Sequence, residues 1–380
     1  MKVLSIGTDR KIFEKGSAVS LRVAEQGALF EEIHVVVFSL RHLGLRAGQI
    51  APNVWVYPTN SISRLFYIKD AKKISKRIIL ERKLGENDVV TCQDPFETGL
   101  VGLNLKKVLG VPLHIQVHTD ILDKYFIGES FLNKLRVIIA KRVFAGADAV
   151  RVVSKRIADS LVSKNILKTP PVILPIFVDI EKIKNTEVLQ DFDLKKKYPQ
   201  FNFVILMASR LTKEKNISLA LGVLKEIIKK YPMVGLVVVG SGPCLSDLKN
   251  TVHQDGLGKN VIFEGWNEDL SSYYKTADLF LLTSNYEGYG MTIVEALSAH
   301  CPVVSTDVGI APNVLRDGEV FVCPVGDAGC LYEKIKKFIE NSGLRESFTH
   351  EAFARLSGVT CPLKEDYLQK YKDSLELAIK

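Results

Sequence analysis

Three short segments in the second half of the chain carry residues suited to phosphate and sugar chemistry. In Met207–Asn216, Arg210 and Lys215 follow an apolar run that ends at Ser209 and precede an amphipathic run. Two cations at the carboxyl end of a strand, beside a helix N-terminus, suit a diphosphate. The same charges also fit a solvated loop. In Val237–Pro243, glycines stand at 240 and 242, where backbone can approach a ligand closely. The dinucleotide fingerprint requires a third glycine at 245, where Leu245 stands, so a plain tight turn fits Gly240 and Gly242 equally well. The third segment, Leu282–Ala296, holds Ser284, Glu287, Gly288, Tyr289, Gly290, Met291, Thr292 and Glu295. Glu287 belongs to a loop and can accept from sugar hydroxyls. The backbone N–H groups of Gly290 to Thr292 open a helix and can bind phosphate. Glu295, one turn on, can accept from a ribose. Its plain alternative is a solvated helix acid behind a glycine turn.

Such residues act together only if the strands ending beside them are parallel. Apolar runs at Val3–Gly7, His34–Ser39, Val54–Tyr57, Asp88–Cys92, Leu113–Val117, Ala149–Ser154 and Val172–Pro175 alternate with helical patterns such as Gly99–Leu109 and Phe131–Phe144. The pattern restarts at Phe203–Met207 and continues through Leu236–Gly240, Val261–Glu264, Leu279–Thr283, Val303–Thr306 and Val320–Cys323. Helices fit Ile217–Tyr231, Cys244–His253, Met291–Ala299 and Leu331–Glu340. Continuous Val/Ile/Leu runs separated by helices indicate parallel strands buried on both faces. The expected fold is therefore α/β: two Rossmann-like, doubly wound domains, 1–178 and 179–360, facing a cleft, with a helix in 361–380 crossing back to the first domain. The charged stretch Asp179–Gln200 reads as a linker.

The totals agree. A chain of 380 residues is too long for one ordinary core. No stretch approaches the roughly 20 unbroken apolar residues of a membrane span. Met1 leads directly into a strand pattern without a signal peptide, so a cytoplasmic protein is expected, acting at the inner face of the membrane. Six scattered cysteines lack zinc spacing and are expected to be reduced. The net charge of +8 is concentrated in residues 1–175, with 27 Lys+Arg against 16 Asp+Glu, which points to an anionic partner there. Within Arg64–Lys83, Lys69, Lys72, Lys73, Lys76, Arg77, Arg82 and Lys83 interleave with Leu65, Phe66, Ile68, Ile74, Ile78 and Ile79, as in a helix lying on an anionic membrane surface. A surface helix packing its apolar stripe inward has the same pattern. The lysines lack aromatic platforms, so nucleic acid is not expected as a partner.

Residues 201–327 resemble the donor-binding half of retaining glycosyltransferase family 4, of the GT-B architecture. The carriers are the E-x7-E spacing of Glu287 and Glu295, the Arg210/Lys215 pair in Ser209–Asn216, the Gly240-Ser241-Gly242 turn, and the runs Cys301–Gly309 and Val322–Asp327. Residues before 201 resemble the family more thinly. Pro112–Asp120 matches the strand whose terminal His118 faces the sugar, leaving His114 structural; Asp88–Pro95 resembles an earlier strand end, with Gln93 and Asp94 toward the acceptor; Ala147–Ser154 resembles a late strand. Gly16 stands where relatives often have two glycines contacting phosphate. Other departures are His300, where a left-handed glycine is usual, Ile310 in place of a second glycine, and the missing near-terminal tryptophan.

The resemblance implies transfer of a glycosyl group from a UDP- or GDP-linked sugar to an acceptor hydroxyl of a glycan, polysaccharide precursor or lipid-linked saccharide, with retention. Arg210 and Lys215 would stabilise the leaving diphosphate, and His118 and Glu287 would hold sugar hydroxyls. No cofactor or metal is implied, because fixed cations can replace one. Asp191-Phe192-Asp193 lies in the charged stretch and reads as solvated acids. Competing readings are a nucleotide-sugar 2-epimerase using Asp94 and Glu97, and an inactive scaffold.

Overall fold

The computed structural model describes residues 1–190, 192–315 and 321–380. They form two compact units, Met1–Leu174 together with Leu363–Lys380, and Pro175–Pro362.

The first unit contains β1 (Lys2–Gly7), β2 (Glu32–Val37), β3 (Gly48–Ala51), β4 (Val54–Pro58), β5 (Val89–Cys92), β6 (Leu113–Val117), β7 (Ala149–Val152) and β8 (Val172–Ile173). They form one sheet in the order β3-β4-β2-β1-β5-β6-β7-β8. All its pairings are parallel except that of β3 with β4. β3 is an addition to the sequence reading: Gly48–Ala51 is an exposed edge strand without an apolar run, so periodicity cannot find it. The helix Lys364–Glu376 belongs to this unit and buries Tyr367, Tyr371 and Leu375.

The second unit contains β9 (Phe203–Ala208), β10 (Val234–Val239), β11 (Val261–Gly265), β12 (Leu279–Leu282), β13 (Val303–Thr306) and β14 (Val322–Cys323). Their order is β11-β10-β9-β12-β13-β14, all parallel. This is the doubly wound order, which reverses between β9 and β12. Every residue of β9, β10 and β12 is buried, as helices on both faces require. The first sheet reverses in the same way between β1 and β5.

Three expectations are corrected. The stretch Asp179–Gln200 is not a free linker: Ile180–Asn185 and Leu194–Lys197 are short helices within the second unit, and Lys195 Nζ reaches Asp278 at 2.8 Å. Asp193 caps the second helix, while its companion Asp191 lies outside the described residues. Cys323 and Cys330 form a disulfide, because the end of β14 and the first turn of helix Ala328–Glu340 bring their Cα atoms to 5.7 Å. The basic helix is Tyr67–Arg82, and it turns Ala71, Ile78 and Ile79 inward. Most of its apolar stripe therefore packs on its own unit, and the exposed apolar residues are Ile62, Leu65 and Phe66 ahead of it and Leu80 within it. His300 adopts the left-handed backbone its position demands, with φ +57°.

Candidate functional site

The loops that leave β9 and β12 meet at the switch point of the second sheet. Lys215 Nζ is 2.5 Å from Glu287 Oε1, and Ser284 Oγ donates to the same oxygen at 2.8 Å. Both charged side chains are largely enclosed, at 15 % and 14 % exposure. Backbone ties fix the pair: Thr283 Oγ1 donates to the carbonyls of Lys215 and Asn216, each at 3.0 Å, and Asn285 N donates to Glu214 O at 2.7 Å. Arg210 differs. Its side chain is 73 % exposed, and its nearest carboxylate, Glu214, is 3.6 Å away. It is a cation held loosely at the rim, available to an anion.

A cavity of about 270 Å³ opens beside these loops. Ser209, Arg210, Lys215, Gly240, Met291, Thr292 and Glu295 line it, so the strand ends of β9, β10 and β12 contribute together. Gly240 shapes its floor. The residue has φ +142°, and a Cβ there would lie 1.9 Å from the Ser209 carbonyl oxygen. Ser209 Oγ, which lines the cavity, is buried without a hydrogen-bond partner. Gly290, at φ +96°, starts the helix Met291–Ser298. Glu295 lies on it and accepts from Tyr274 Oη at 3.0 Å. Burial raises the Glu295 carboxyl above its ordinary value, partly opposed by the tyrosine bond.

Four of the expected donor contacts also have packing roles in the fold. Gly242 packs against the backbone of Leu211, Ser284 serves Glu287, and Gly288 is buried. Tyr289 is buried too, and its hydroxyl donates to Val359 O at 2.9 Å, so its ring belongs to the core. Trp266, Asn267 and Leu270 also line the cavity, from the loop and helix after β11. No spaced motif marks them; an aromatic directly after a glycine-ended strand, Gly265-Trp266, was the available signal.

In the first unit His118 is exposed at the carboxyl end of β6, with Nε2 3.3 Å from Gln116 Oε1. Gln93 follows β5 and lies against Gly7 at the switch point of that sheet. Asp94 accepts from Phe96 N at 2.8 Å and is engaged by Thr98, so it organises the entry to helix Glu97–Leu109. Burial raises its carboxyl. Glu97 is paired with Arg136 at 3.0 Å. Both acids proposed for an epimerase are thus occupied in the fold. Gly16, at φ +79°, precedes Ser17, which caps helix Ala18–Gly27. His114 is enclosed within β6, and burial followed by the Arg151 charge pushes it down to about 3. Among the described residues, no cluster of three or more His, Cys, Asp or Glu is arranged to hold a metal.

Two doubly wound α/β sheets in one chain, the second with Arg210, Lys215 and a glycine turn at its switch point, fit the GT-B architecture. Residues 191–355 match the family model described as glycosyl transferases group 1, and residues 24–182 match that described as glycosyltransferase family 4. The chain belongs to family 4 of the glycosyltransferases. It is 28 % identical over 240 residues to an alpha-monoglucosyldiacylglycerol synthase of Streptococcus pneumoniae, a match spanning 60 % of this chain but only 54 % of that relative. It is 25 % identical to the capsular polysaccharide biosynthesis glycosyltransferase CapM of Staphylococcus aureus, over 86 % of this chain and 85 % of CapM. In fold it is similar to Anabaena HepE in complex with UDP, with a TM-score of 0.75, 19 % identity and 99 % of each chain covered.

Two predictions follow from the cavity. Gly240→Ala, facing backbone at 1.9 Å, should lower stability by about 2–4 kcal/mol. Gly16→Ala has open space and should lose only about 1 kcal/mol for its backbone conformation. Urea midpoints compare them, and equal losses would remove the close approach assigned to Gly240. Glu295→Gln should raise the melting temperature at pH 7, because the buried carboxylate opposes folding when ionised. The advantage should shrink as the pH falls and be lost below the ordinary glutamate value of 4.5, where the wild-type group is protonated in both the folded and the unfolded states. A pH-independent difference would contradict this.

Proposed function

We propose that the chain transfers a sugar from a UDP-linked donor, with retention and without a metal, to a hydroxyl of a glycan or lipid-linked saccharide; a GDP-linked donor is the alternative. The observation that carries this reading is the convergence of Arg210, Lys215, Gly240 and Glu295 on one cavity, with Glu287 locked to Lys215. As the anomeric bond breaks, negative charge grows on the diphosphate. Lys215 and Arg210 oppose that charge, and the start of helix Met291–Ser298 adds its dipole. Glu295 receives the ribose, and Trp266 offers a face to the base. Relatives support the donor class: HepE was solved with UDP, and an Escherichia coli relative, 29 % identical over 252 residues, is named a UDP-Gal:alpha-D-GlcNAc-diphosphoundecaprenol alpha-1,3-galactosyltransferase.

Retention in hydrolases of sugars requires a second carboxylate as nucleophile. Glu287 is committed to Lys215 and Ser284, which suits it to orienting a sugar and not to attacking it. The preferred route is front-face transfer, in which the leaving phosphate takes the acceptor proton.

In the same reading the first unit docks on an anionic lipid surface. Phe131, 83 % exposed, Leu135 and Ile138 share one face of helix Phe131–Phe144 over two turns, with exposed Leu132 beside them. Lys134, Lys141 and Arg142 are exposed on the same helix, the composition of an interfacial element. No helix among the described residues is long and apolar enough to cross a membrane.

Arg210→Ala and Lys215→Ala should each lower kcat/KM by roughly 2–4 kcal/mol of transition-state stabilisation. Near-normal transfer by both variants would remove the diphosphate assignment. Flotation with vesicles should show binding that needs anionic lipid, weakens with salt and falls in Phe131→Asp. Equal behaviour with neutral vesicles would end the membrane reading.

A further inference from the structure

One charged group of the first unit lies apart from the sugar and diphosphate contacts. Arg151 sits in β7 between apolar neighbours and is almost fully enclosed. Among the described residues no carboxylate pairs with it. Its Nη groups donate instead to neutral acceptors, Gln116 Oε1 at 3.2 Å, Leu174 O at 3.2 Å and Tyr367 Oη at 3.3 Å, while Nε has no partner among the described residues. The rings of Tyr367 and Tyr371, on the C-terminal helix, lie 5.8 and 5.5 Å from the guanidinium carbon. Enclosing a cation without a counter-charge opposes folding, so packing alone does not account for it.

Its hydrogen bonds lead in one direction. A guanidinium only donates, so the Gln116 atom facing Arg151 must be the amide oxygen. The amide nitrogen then points to Thr91 Oγ1, at 3.1 Å. The Gln116 amide oxygen also lies 3.3 Å from His118 Nε2. An oxygen already fixed as an acceptor leaves the imidazole one role at that atom: Nε2 must carry the hydrogen. The opposite nitrogen, Nδ1, is left as an acceptor, and no described residue donates to it. The His118 ring is pushed down to about 3, first by its desolvation and then by the cations Arg151 on β7 and Arg22 on helix Ala18–Gly27. Both disfavour a positive ring. The neighbouring His114 is itself neutral, with Nδ1 2.9 Å from Thr91 Oγ1.

We propose that Arg151 is a positioning residue: through the Gln116 oxygen it fixes His118 as the neutral Nε2–H tautomer, so that Nδ1 accepts a hydrogen bond from a sugar hydroxyl. The proposal rests on the reading of His118 as a sugar contact, but its structural half stands independently. It gives His118 a definite polarity, accepting from a hydroxyl and unable to donate from Nδ1. It also ties that polarity to the C-terminal helix, because Tyr367 shares the same guanidinium.

The test is nitrogen NMR of the full chain labelled with 15N-histidine, with the His118 signals assigned by their loss in His118→Gln. Wild type should show a protonated Nε2 and an unprotonated Nδ1 at neutral pH. Gln116→Leu and Arg151→Met should both give mixed tautomers, with kcat/KM lowered about tenfold, the weight of one hydrogen bond. Arg151→Lys keeps a donor toward Gln116 and should restore the Nε2–H form and most of the activity. If Arg151→Met does not fold, as judged by circular dichroism, wild type and Gln116→Leu decide. A protonated Nδ1 in wild type, or an unchanged tautomer in folded Gln116→Leu, overturns the proposal. Mixed tautomers with unchanged kcat/KM overturn the positioning role by removing the sugar contact, while leaving the Arg210 and Lys215 assignments untouched.

Discussion

The ion pair between Lys215 and Glu287 is the constraint on which the second unit's site depends. It joins the loops after β9 and β12, the two strands between which the sheet order reverses. A doubly wound sheet leaves these loops diverging and so opens a crevice between them. Crossing it with a buried pair, fixed by Ser284, Thr283 and Asn285, gives the crevice one rigid wall. Because each partner satisfies the other, losing either would leave a charge enclosed without compensation. Arg210 is free of this commitment, which divides the labour: one cation is structural as well as electrostatic, and the other stands at the rim to meet an incoming anion.

Much of this organisation was legible in the residues. Apolar runs such as Phe203–Met207 and Val237–Val239 have no polar alternation because helices cover both faces, and that alone placed the parallel strands. The functional positions follow strand ends, so Arg210, Gly240 and Glu295 could be assigned to a common edge before any coordinates. What stayed hidden depended on distance in sequence. Trp266 and Asn267 join the cavity from the β11 loop with no spacing to announce them. The Cys323–Cys330 bridge spans a strand end and a helix start whose separation no pattern encodes. Tyr289 was misleading for a simpler reason: its neighbours Gly288 and Gly290 mark a turn, but a turn does not say which way its aromatic points. Arg151 did leave a signal. A cation inside the apolar run Ala149–Val153 is costly to bury, and such violations tend to mark function.

The two units use charge differently. In the second, cations are compensated by Glu287 and Glu214 until a ligand competes for them. In the first, Arg151 is held by neutral oxygens and ring faces, so its field acts on the imidazoles beside it. The remaining excess of positive charge there is largely at the surface, where salt screens it.

The most direct measurement is calorimetric titration of the protein with UDP in the presence of EDTA. Fixed cations and a helix start at one strand edge predict saturable binding that survives chelation and is lost in Lys215→Ala. Absence of binding, or binding that appears only when a divalent metal is restored, would contradict the central claim that this edge is a self-sufficient diphosphate site.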